Sequence, residues 1–336
     1  MEAMKNDLWR LCQAQGLPGR EEAAANEIKL ILKEMGLTPE SDAMGNVWAT
    51  FGQGEEHLLL DAHLDQIGLL VTGFEKGGFL RVGKSGGIDR RVLLGTPVVI
   101  HGRKTLRGIV CCMPPHLTKG GEDEVPELED MAIDTGLSDD ELEKTVRLGD
   151  SVTFLAPITQ LLGTRVTGAA LDDRTGCAVL LRCAQLLKGQ DMPRKVTVLF
   201  SSREEVGSQG AQTAAFRLQP DACIAVDVTF ATQPGVSDKE GGKLGGGPMV
   251  GLSPVLSRRM AQKLFDLAKR EQISVQTEVM EGRTGTTADS ILTTRQGVPC
   301  CLLSIPQRSM HTPAEVCDLQ DMEQAAQLLA AYAKEA

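Results

Sequence analysis

Acidic and imidazole side chains cluster in this sequence just after short apolar runs that are predicted to be buried strands. They are His63, Asp65, Glu204, Glu205, Asp227 and His311, and the pair Asp172 and Asp173 opens a predicted helix. Functional groups in open α/β sheets gather beyond the carboxyl ends of the strands. We therefore expect these side chains to meet at one edge of a sheet.

Imidazole and carboxylate together form the ligand mixture of a hydrolytic zinc, cobalt or manganese site. The chain contains five histidines, and two of them belong to this set. Two imidazoles and three carboxylates exceed what one tetrahedral ion needs, but they suit a pair of metals about 3.5 Å apart that share a bridging carboxylate. Asp65, two residues after His63, could fix the tautomer of that ring. The spacing predicts a two-metal hydrolytic centre.

Each member of the set has a structural alternative when it is taken alone. A lone histidine after a strand is usually a surface or core residue, and the Asp172-Asp173 pair suits a helix N-cap. Glu204 and Glu205 would ordinarily form a solvated turn, yet adjacent acids repel each other unless a cation lies nearby. The coincidence of all of them after strands favours the metal interpretation.

Alternating helix and strand patterns predict the scaffold that positions these residues. The first 36 residues predict two helices, and apolar strand runs at 57–61, 195–200, 222–226, 274–280 and 300–305 are followed by candidate site residues or helices. Further helices are predicted at 175–187, 207–216, 254–271, 288–295 and 319–333. This alternation is typical of an α/β fold whose mostly parallel central sheet is covered by helices on both faces.

The middle of the chain has a different pattern. Frequent glycines and short β-branched runs predict an inserted small β-rich domain at 69–162, so that residues 1–68 and 163–336 together form the catalytic domain. Within the insertion, the acidic segment 120–144 is expected to be a solvated loop with one short helix.

The amino-acid composition limits the classes of binding partner and the cellular compartment that we expect for this chain. The net charge of −10 speaks against nucleic acid or an anionic membrane as a partner. No run approaches the roughly 20 apolar residues of a membrane helix, and the first residues do not resemble a signal peptide. The nine cysteines include no C-x-x-C motif, which favours reduced thiols in a cytoplasmic protein.

The candidate residues lie in motifs that resemble the tetrahedral-type metallo-aminopeptidases of prokaryotes, the family that includes glutamyl and deblocking aminopeptidases. The resemblance covers essentially the whole chain; each motif alone is weak, but their common order is highly specific. The motifs are AHLDQIG (62–68), PPHL (114–117), ALDDRTG (170–176), REEVG (203–207), VDVT (226–229), KLGGGP (243–248), and SIP (304–306) leading to MHTP (310–313).

This resemblance implies a role for each candidate residue. Two divalent ions, zinc or cobalt first and manganese as a further possibility, would be held by His63, Asp172, Glu205, Asp227 and His311. Asp172, and not Asp173, would be the bridging ligand, Glu204 the general base, and Asp65 would brace His63. The substrates would be short peptides with free N-termini, and the inserted domain would drive self-association into dimers and a dodecamer.

Two departures from the family pattern bear on substrate preference and assembly. Gln66 stands where the family usually has Glu, and Thr286-Thr287-Ala288 stands where it usually has Thr-Asp-Ala. Other functions remain open: a deacylase or amidohydrolase with the same metals, or a catalytically idle assembly subunit, although no ligand is missing. A glycosidase is disfavoured, because sugar clefts are usually lined with aromatics and these are 3% of the chain.

Overall fold

A computed structural model of the protein describes residues 1–114, 116, 125–237 and 239–335. The fold is mixed α/β, as predicted. Pro115, Leu117 and the start of the acidic segment lie outside the described residues. The helices are α1 (Glu2–Gln13), α2 (Glu22–Glu34), α3 (Asp139–Thr145), α4 (Leu171–Leu187), α5 (Gln209–Leu218), α6 (Arg258–Arg270), α7 (Ala288–Ile291) and α8 (Leu319–Lys334).

The strands form a large sheet, a closed barrel and a three-stranded sheet. In chain order they are β1 (Glu40–Ser41), β2 (Val47–Phe51), β3 (His57–His63), β4 (Gly68–Glu75), β5 (Phe79–Ser85), β6 (Pro97–His101), β7 (Thr105–Cys111), β8 (Ala132–Asp134), β9 (Ser151–Phe154), β10 (Thr159–Gln160), β11 (Arg165–Gly168), β12 (Lys195–Ser201), β13 (Ala222–Phe230), β14 (Met249–Leu252), β15 (Gln276–Val279), β16 (Cys300–Gln307) and β17 (Glu315–Asp318). The large sheet has the order β1-β2-β12-β3-β13-β16-β14-β15.

Helices cover both faces of the large sheet, because its central strands are apolar on both sides. In β3, Leu58 and Leu60 pack into a core shared with α1, α2, α4, α6 and α8. The intervening Leu59 points the other way, into a smaller core with α5 and α7. This alternation of successive side chains is the two-residue period of a strand. The central strands are therefore fixed from both faces, and their ends are held rigidly.

Parallel pairing is less extensive than the sequence predicted. The central strands β12, β3, β13 and β16 are parallel, whereas β2 and β14 run antiparallel to their neighbours in that group. A parallel return needs a crossover of a dozen or more residues, usually a helix. The segment 231–248 between β13 and β14 contains no helix in its described residues, and the chain returns in the opposite direction.

The six-stranded barrel has the order β4-β5-β8-β7-β6-β9 and encloses its own apolar core. Its strands lie between positions 68 and 154, overlapping the segment 69–162 that the sequence assigns to an inserted domain. The domain boundaries themselves stay a prediction. The short helix α3 lies in the described part of the acidic segment.

Two helices are shorter than predicted, and local geometry explains both. The side chain of Ser257 accepts a hydrogen bond from the backbone of Met260, so α6 begins at Arg258 and not at Pro254. In α7 the helix ends at Ile291, and Arg295 has a left-handed φ of 57°, which a continuing helix excludes. Among the described helices, none is long and apolar enough to cross a membrane.

Candidate metal centre

The structure brings the predicted residues together at the carboxyl ends of the central strands. His63 is the last residue of β3, and Asp227 lies in β13. Glu204 and Glu205 form a short 3-10 turn just after β12, and Asp172 lies in the first turn of α4. Since β12, β3, β13 and β16 run parallel, their carboxyl ends share one edge of the sheet.

Asp172 lies between the two histidines. Its Oδ1 is 3.1 Å from His63 Nε2, and its Oδ2 is 3.3 Å from His311 Nε2. On one side, Asp227 Oδ1 is 3.9 Å from His63 Nε2; on the other, Glu205 Oε1 is 3.7 Å from His311 Nε2. The ligand atoms thus form two overlapping groups, His63-Asp172-Asp227 and Asp172-Glu205-His311, each within 4.8 Å.

Asp173 has a different role from its neighbour. The two residues are joined by a cis peptide bond and have non-helical dihedral angles at the start of α4. Asp173 is fully buried, and its Oδ1 accepts a hydrogen bond of 2.9 Å from the backbone of Gly176. This is the bond of a helix-capping side chain. The geometry therefore favours Asp172 as the shared ligand.

Asp65 connects His63 to the turn that carries Glu204 and Glu205. Its carboxylate accepts hydrogen bonds from the backbone N–H groups of Glu204, at 2.9 Å, and Glu205, at 3.0 Å. Its Oδ1 also lies 3.5 Å from His63 Nδ1, and the same ring nitrogen is 3.1 Å from the carbonyl oxygen of Asp65. Asp65 thus orients the His63 imidazole through its carbonyl oxygen, with its carboxylate nearby, and the same carboxylate holds the backbone of the two glutamates in place.

Three non-glycine residues at the edges of this cluster adopt the left-handed region of φ. They are Ala170, Arg203 and His311, with φ values of 64°, 61° and 60°. Such conformations cost of order 1 kcal/mol or more for ordinary residues and are common at functional sites. Here Ala170 and Arg203 turn the chain just before Asp172 and Glu204 enter the cluster, and His311 is itself a member of the cluster.

The protonation of the cluster indicates an excess of buried negative charge. Burial raises the pKa of Asp227, and burial followed by the nearby Asp172 raises the pKa of Glu205 to about 8. The neighbouring Asp172 raises the pKa of His311 to about 9. For His63, the effect of burial is outweighed by Asp172 and Asp65, and its pKa is raised as well. Cations at this position would compensate the carboxylates, so the donor set fits a pair of divalent ions.

Sequence reasoning missed Glu315, which holds the backbone of two candidate ligands. Its buried carboxylate accepts hydrogen bonds from the N–H groups of Leu171, at 2.7 Å, Asp172, at 3.3 Å, and His311, at 3.1 Å. Burial raises the pKa of Glu315 well above its usual range. The available signal in the sequence was an acid four residues after His311, followed directly by the apolar pair Val316 and Cys317.

The barrel also reaches the cluster, through the glycines that follow β5. A Cβ atom at Gly86, which has a φ of +82°, would lie 3.1 Å from Glu205 Oε2. A Cβ atom at Gly87 would lie only 2.9 Å from His311 Nδ1. The ligands proposed from sequence all lie outside the predicted insertion, but the insertion packs directly against two of them.

A cavity of about 770 Å³ opens beside the cluster. Its lining includes His63, Glu204 and His311, apolar side chains, and two further acids, Glu240 and Glu278. Glu204 accepts a hydrogen bond of 3.4 Å from Ser208, and burial raises the pKa of its carboxyl. Thr286 lines the cavity, and Thr287 is buried.

The sequence and the structure both have relatives among known proteins. The family model described as M42 glutamyl aminopeptidase matches residues 45–328. A lysyl aminopeptidase from Pyrococcus furiosus is 31% identical over 332 residues, which are 97% of this chain and 95% of the relative. The aminopeptidase APDkam598 from Desulfurococcus kamchatkensis superimposes with a TM-score of 0.93 at 32% identity, covering 100% of this chain and 95% of that one.

A further solved structure is that of the TET1 peptidase of Pyrococcus horikoshii, described as assembling into a tetrahedron or a large octahedral shell. It superimposes with a TM-score of 0.88 at 32% identity, and the match covers 99% of this chain and 100% of that one. The similarity therefore extends over both the large sheet and the barrel.

Proposed function

The chain belongs to the M42 glutamyl aminopeptidase family, and we propose that its metal ligands are His63, Asp172, Glu205, Asp227 and His311. Membership confirms the resemblance drawn from the motifs and makes the protein a metal-dependent aminopeptidase. The observation that carries the ligand assignment is the position of Asp172, whose two oxygens face His63 and His311. We propose Asp172 as the bridging ligand of two divalent ions, zinc or cobalt.

When bound, such ions lower the pKa of a water molecule toward neutrality, polarise the scissile carbonyl and coordinate the free α-amino group. Glu204 would take a proton from the attacking water and pass it to the leaving amine. Its position supports this role: it lines the cavity next to Glu205, yet it is in neither group of ligand atoms. Asp65 would hold Glu204 and His63 in a fixed relative position, since it accepts a hydrogen bond from the backbone N–H of Glu204 and lies beside the ring of His63.

The test is a comparison of free and acetylated forms of one short peptide, assayed on metal-loaded and chelated enzyme. We expect up to two divalent ions per chain by elemental analysis, and cleavage of the free peptide that is lost on chelation. The acetylated peptide should resist cleavage, because its α-amino group is blocked. Cleavage of both forms would favour the deacylase alternative, and a metal-loaded protein without turnover would favour the idle subunit.

We also propose that the protein self-associates through its barrel. The similar Pyrococcus horikoshii peptidase is described as assembling into a tetrahedron or a large octahedral shell, and on the barrel of this chain the exposed Ile109 borders a depression with Pro97 and Leu155. Exposed apolar surface of this kind is typical of contacts between subunits. We further expect a cytoplasmic enzyme, since each of the nine cysteines is a free thiol.

The residue removed from the peptide has to be inferred from this chain's own cavity. The matching family is described by glutamyl specificity and one relative by lysyl specificity, which are side chains of opposite charge. Gln66 and Thr287, the two departures from the family pattern, are both buried, and neither lines the cavity beside the metal centre.

A further inference from the structure

Two acids line the cavity without a role in the proposed hydrolysis: Glu240 at the exposed rim and Glu278 in the wall. Glu278 lies in β15, and its side chain is half-buried in the cavity wall. Its Oε2 accepts a hydrogen bond of 2.6 Å from Ser304 Oγ, and its Oε1 accepts one from Thr229 Oγ1. A carboxylate offers about four acceptor positions. Two hydroxyl groups therefore orient Glu278 and leave it able to accept further hydrogen bonds from a ligand.

The position of Glu278 relates it to the metal centre. Ser304 is paired with Asp227 where β16 and β13 run side by side, and neighbouring strands are about 4.8 Å apart. The Glu278 carboxylate thus lies roughly one strand spacing and one hydrogen bond away from the backbone position of Asp227. A peptide whose α-amino group lies at the metal centre would direct its first side chain across this short distance.

The cavity wall between the metal centre and the Glu278 carboxylate is apolar. Met249, Met280 and Leu302 line the same cavity; Met249 and Met280 lie on or next to the outer strands β14 and β15, and Leu302 lies in β16. Lysine and arginine place long aliphatic stems along apolar surface and keep the charged group at a polar partner. An apolar wall that leads to an oriented carboxylate matches this shape.

The charges around the cavity also favour a cation at Glu278. With two divalent ions bound, their four positive charges offset the carboxylates of Asp172, Glu204, Glu205 and Asp227. At the rim, Lys239 and Glu240 are adjacent, exposed and opposite in sign. Within the part of the chain that the structure describes, the contacts of Glu278 are hydrogen bonds from the hydroxyl groups of Ser304 and Thr229, and not ion pairs. Its negative charge is therefore available to a substrate.

We propose that Glu278 selects peptides whose N-terminal residue is lysine or arginine. This inference rests on the proposed function, because the metal centre fixes the position of the α-amino group. The side chain would pass over Met249 and Leu302, and its cationic group would donate charge-assisted hydrogen bonds to Glu278. An N-terminal glutamate would bring a second carboxylate to the same place and would be disfavoured by repulsion.

The test uses the p-nitroanilides of lysine, arginine, leucine and glutamate with the metal-loaded enzyme. We expect the wild type to have a kcat/KM for lysine and arginine at least about ten times that for leucine. Glu278→Gln should lower the lysine-to-leucine ratio by roughly 10- to 100-fold, the effect of losing a hydrogen bond to a charged group. Glu281→Gln is the matched control: this exposed acid is three residues away and outside the cavity lining, and the ratio should stay within about threefold.

The outcomes separate this inference from the function on which it rests. Turnover of leucine or glutamate substrates in preference to lysine, or an unchanged lysine-to-leucine ratio in Glu278→Gln, would overturn the role of Glu278 and leave the aminopeptidase intact. Failure of the metal-loaded wild type to cleave any of the four substrates would overturn both. A ratio that falls in Glu278→Gln but not in Glu281→Gln would support the inference.

Discussion

At the carboxyl ends of the central strands the protein buries charged side chains, whereas the interior of the barrel is almost wholly apolar. His63, Asp65, Asp172 and Asp227 are all buried, with 6% exposure or less, and lie within one cluster. The barrel core is built from residues such as Leu80, Ile100 and Ile133. Among the described residues, no group that could hold a metal ion lies in the barrel.

This difference in buried charge indicates that the strand-end cluster and the barrel have different roles. Removing an ion from water costs several kcal/mol even after the protein relaxes, so a cluster of buried carboxylates destabilises the fold unless cations compensate it. Under the proposed function, the charge at the strand ends serves metal binding and catalysis. The barrel interior has no such cluster of buried carboxylates, so it carries no comparable desolvation cost. Its apolar core stabilises a separate structural unit. The comparison predicts that substitutions in the two regions affect different properties.

The largest effect should come from the proposed general base, Glu204. Glu204→Gln keeps the size of the side chain but removes its ability to accept a proton, and we expect turnover to fall by roughly 10²- to 10⁴-fold. Metal content by elemental analysis and the oligomeric state should stay as in the wild type, since Glu204 is in neither ligand group. A rate close to that of the wild type would assign the base to another residue.

An intermediate effect should come from a barrel residue that contacts the site. A methyl group at Gly87 would approach His311 Nδ1 to about 2.9 Å, so the ring must move. We expect Gly87→Ala to lower metal affinity or activity by roughly 10- to 100-fold, as for other disturbances of the residues around a ligand. Metal titration followed by assay at saturating metal would measure it.

Gly73→Ala is the control for this change. Gly73 is also a barrel glycine, but a Cβ atom there would be 3.5 Å from the nearest side chain, an ordinary contact. We expect little change in metal affinity from this substitution. Equal effects of both would mean that the barrel acts on the site through its overall stability, and not through the contact with His311.

The sequence predicted those features of the fold that depend only on residues close together in the chain. The run at 195–200 became β12 over Lys195–Ser201, because a short run rich in β-branched and apolar residues is itself the signal of a strand. The contacts of Glu315 could not be predicted in this way, since it bonds the backbone of Leu171 across 144 residues. The same holds for Gly87, whose importance depends on the position of His311 after folding.

The choice of bridging ligand between the adjacent residues Asp172 and Asp173 also could not be predicted from residue types alone. Both are acids at the start of one helix, and no property of the sequence separates them except the family motif. The backbone dihedral angles direct one carboxylate to the histidines and the other to the N–H of Gly176. Residue types therefore predict which chemistry a site can hold, whereas the assignment of each role depends on backbone geometry.

The smallest effect on turnover, and the clearest separation of the two regions, should come from the outer surface of the barrel. Ile109 lies in β7, is 53% exposed and borders a shallow depression with Pro97 and Leu155. If the barrel forms the subunit contact, Ile109→Asp places a charge where apolar surface is buried, and it should shift the protein toward smaller species in sedimentation. The metal cluster is made by other elements, so kcat on a short peptide should stay within about threefold.

Phe216→Asp provides the matched control, because Phe216 is a similarly exposed apolar residue, at 59%, on α5 of the large α/β unit. We expect it to leave the sedimentation of the protein unchanged. Dissociation caused by Phe216→Asp but not by Ile109→Asp would place the subunit contact on the α/β unit and remove the assembly role from this face of the barrel. A large loss of kcat in Ile109→Asp, at full metal content, would show that the assembled state is needed for catalysis. In that case the contact of Gly87 with His311 is the shortest route in the structure by which the barrel could act on the metal centre.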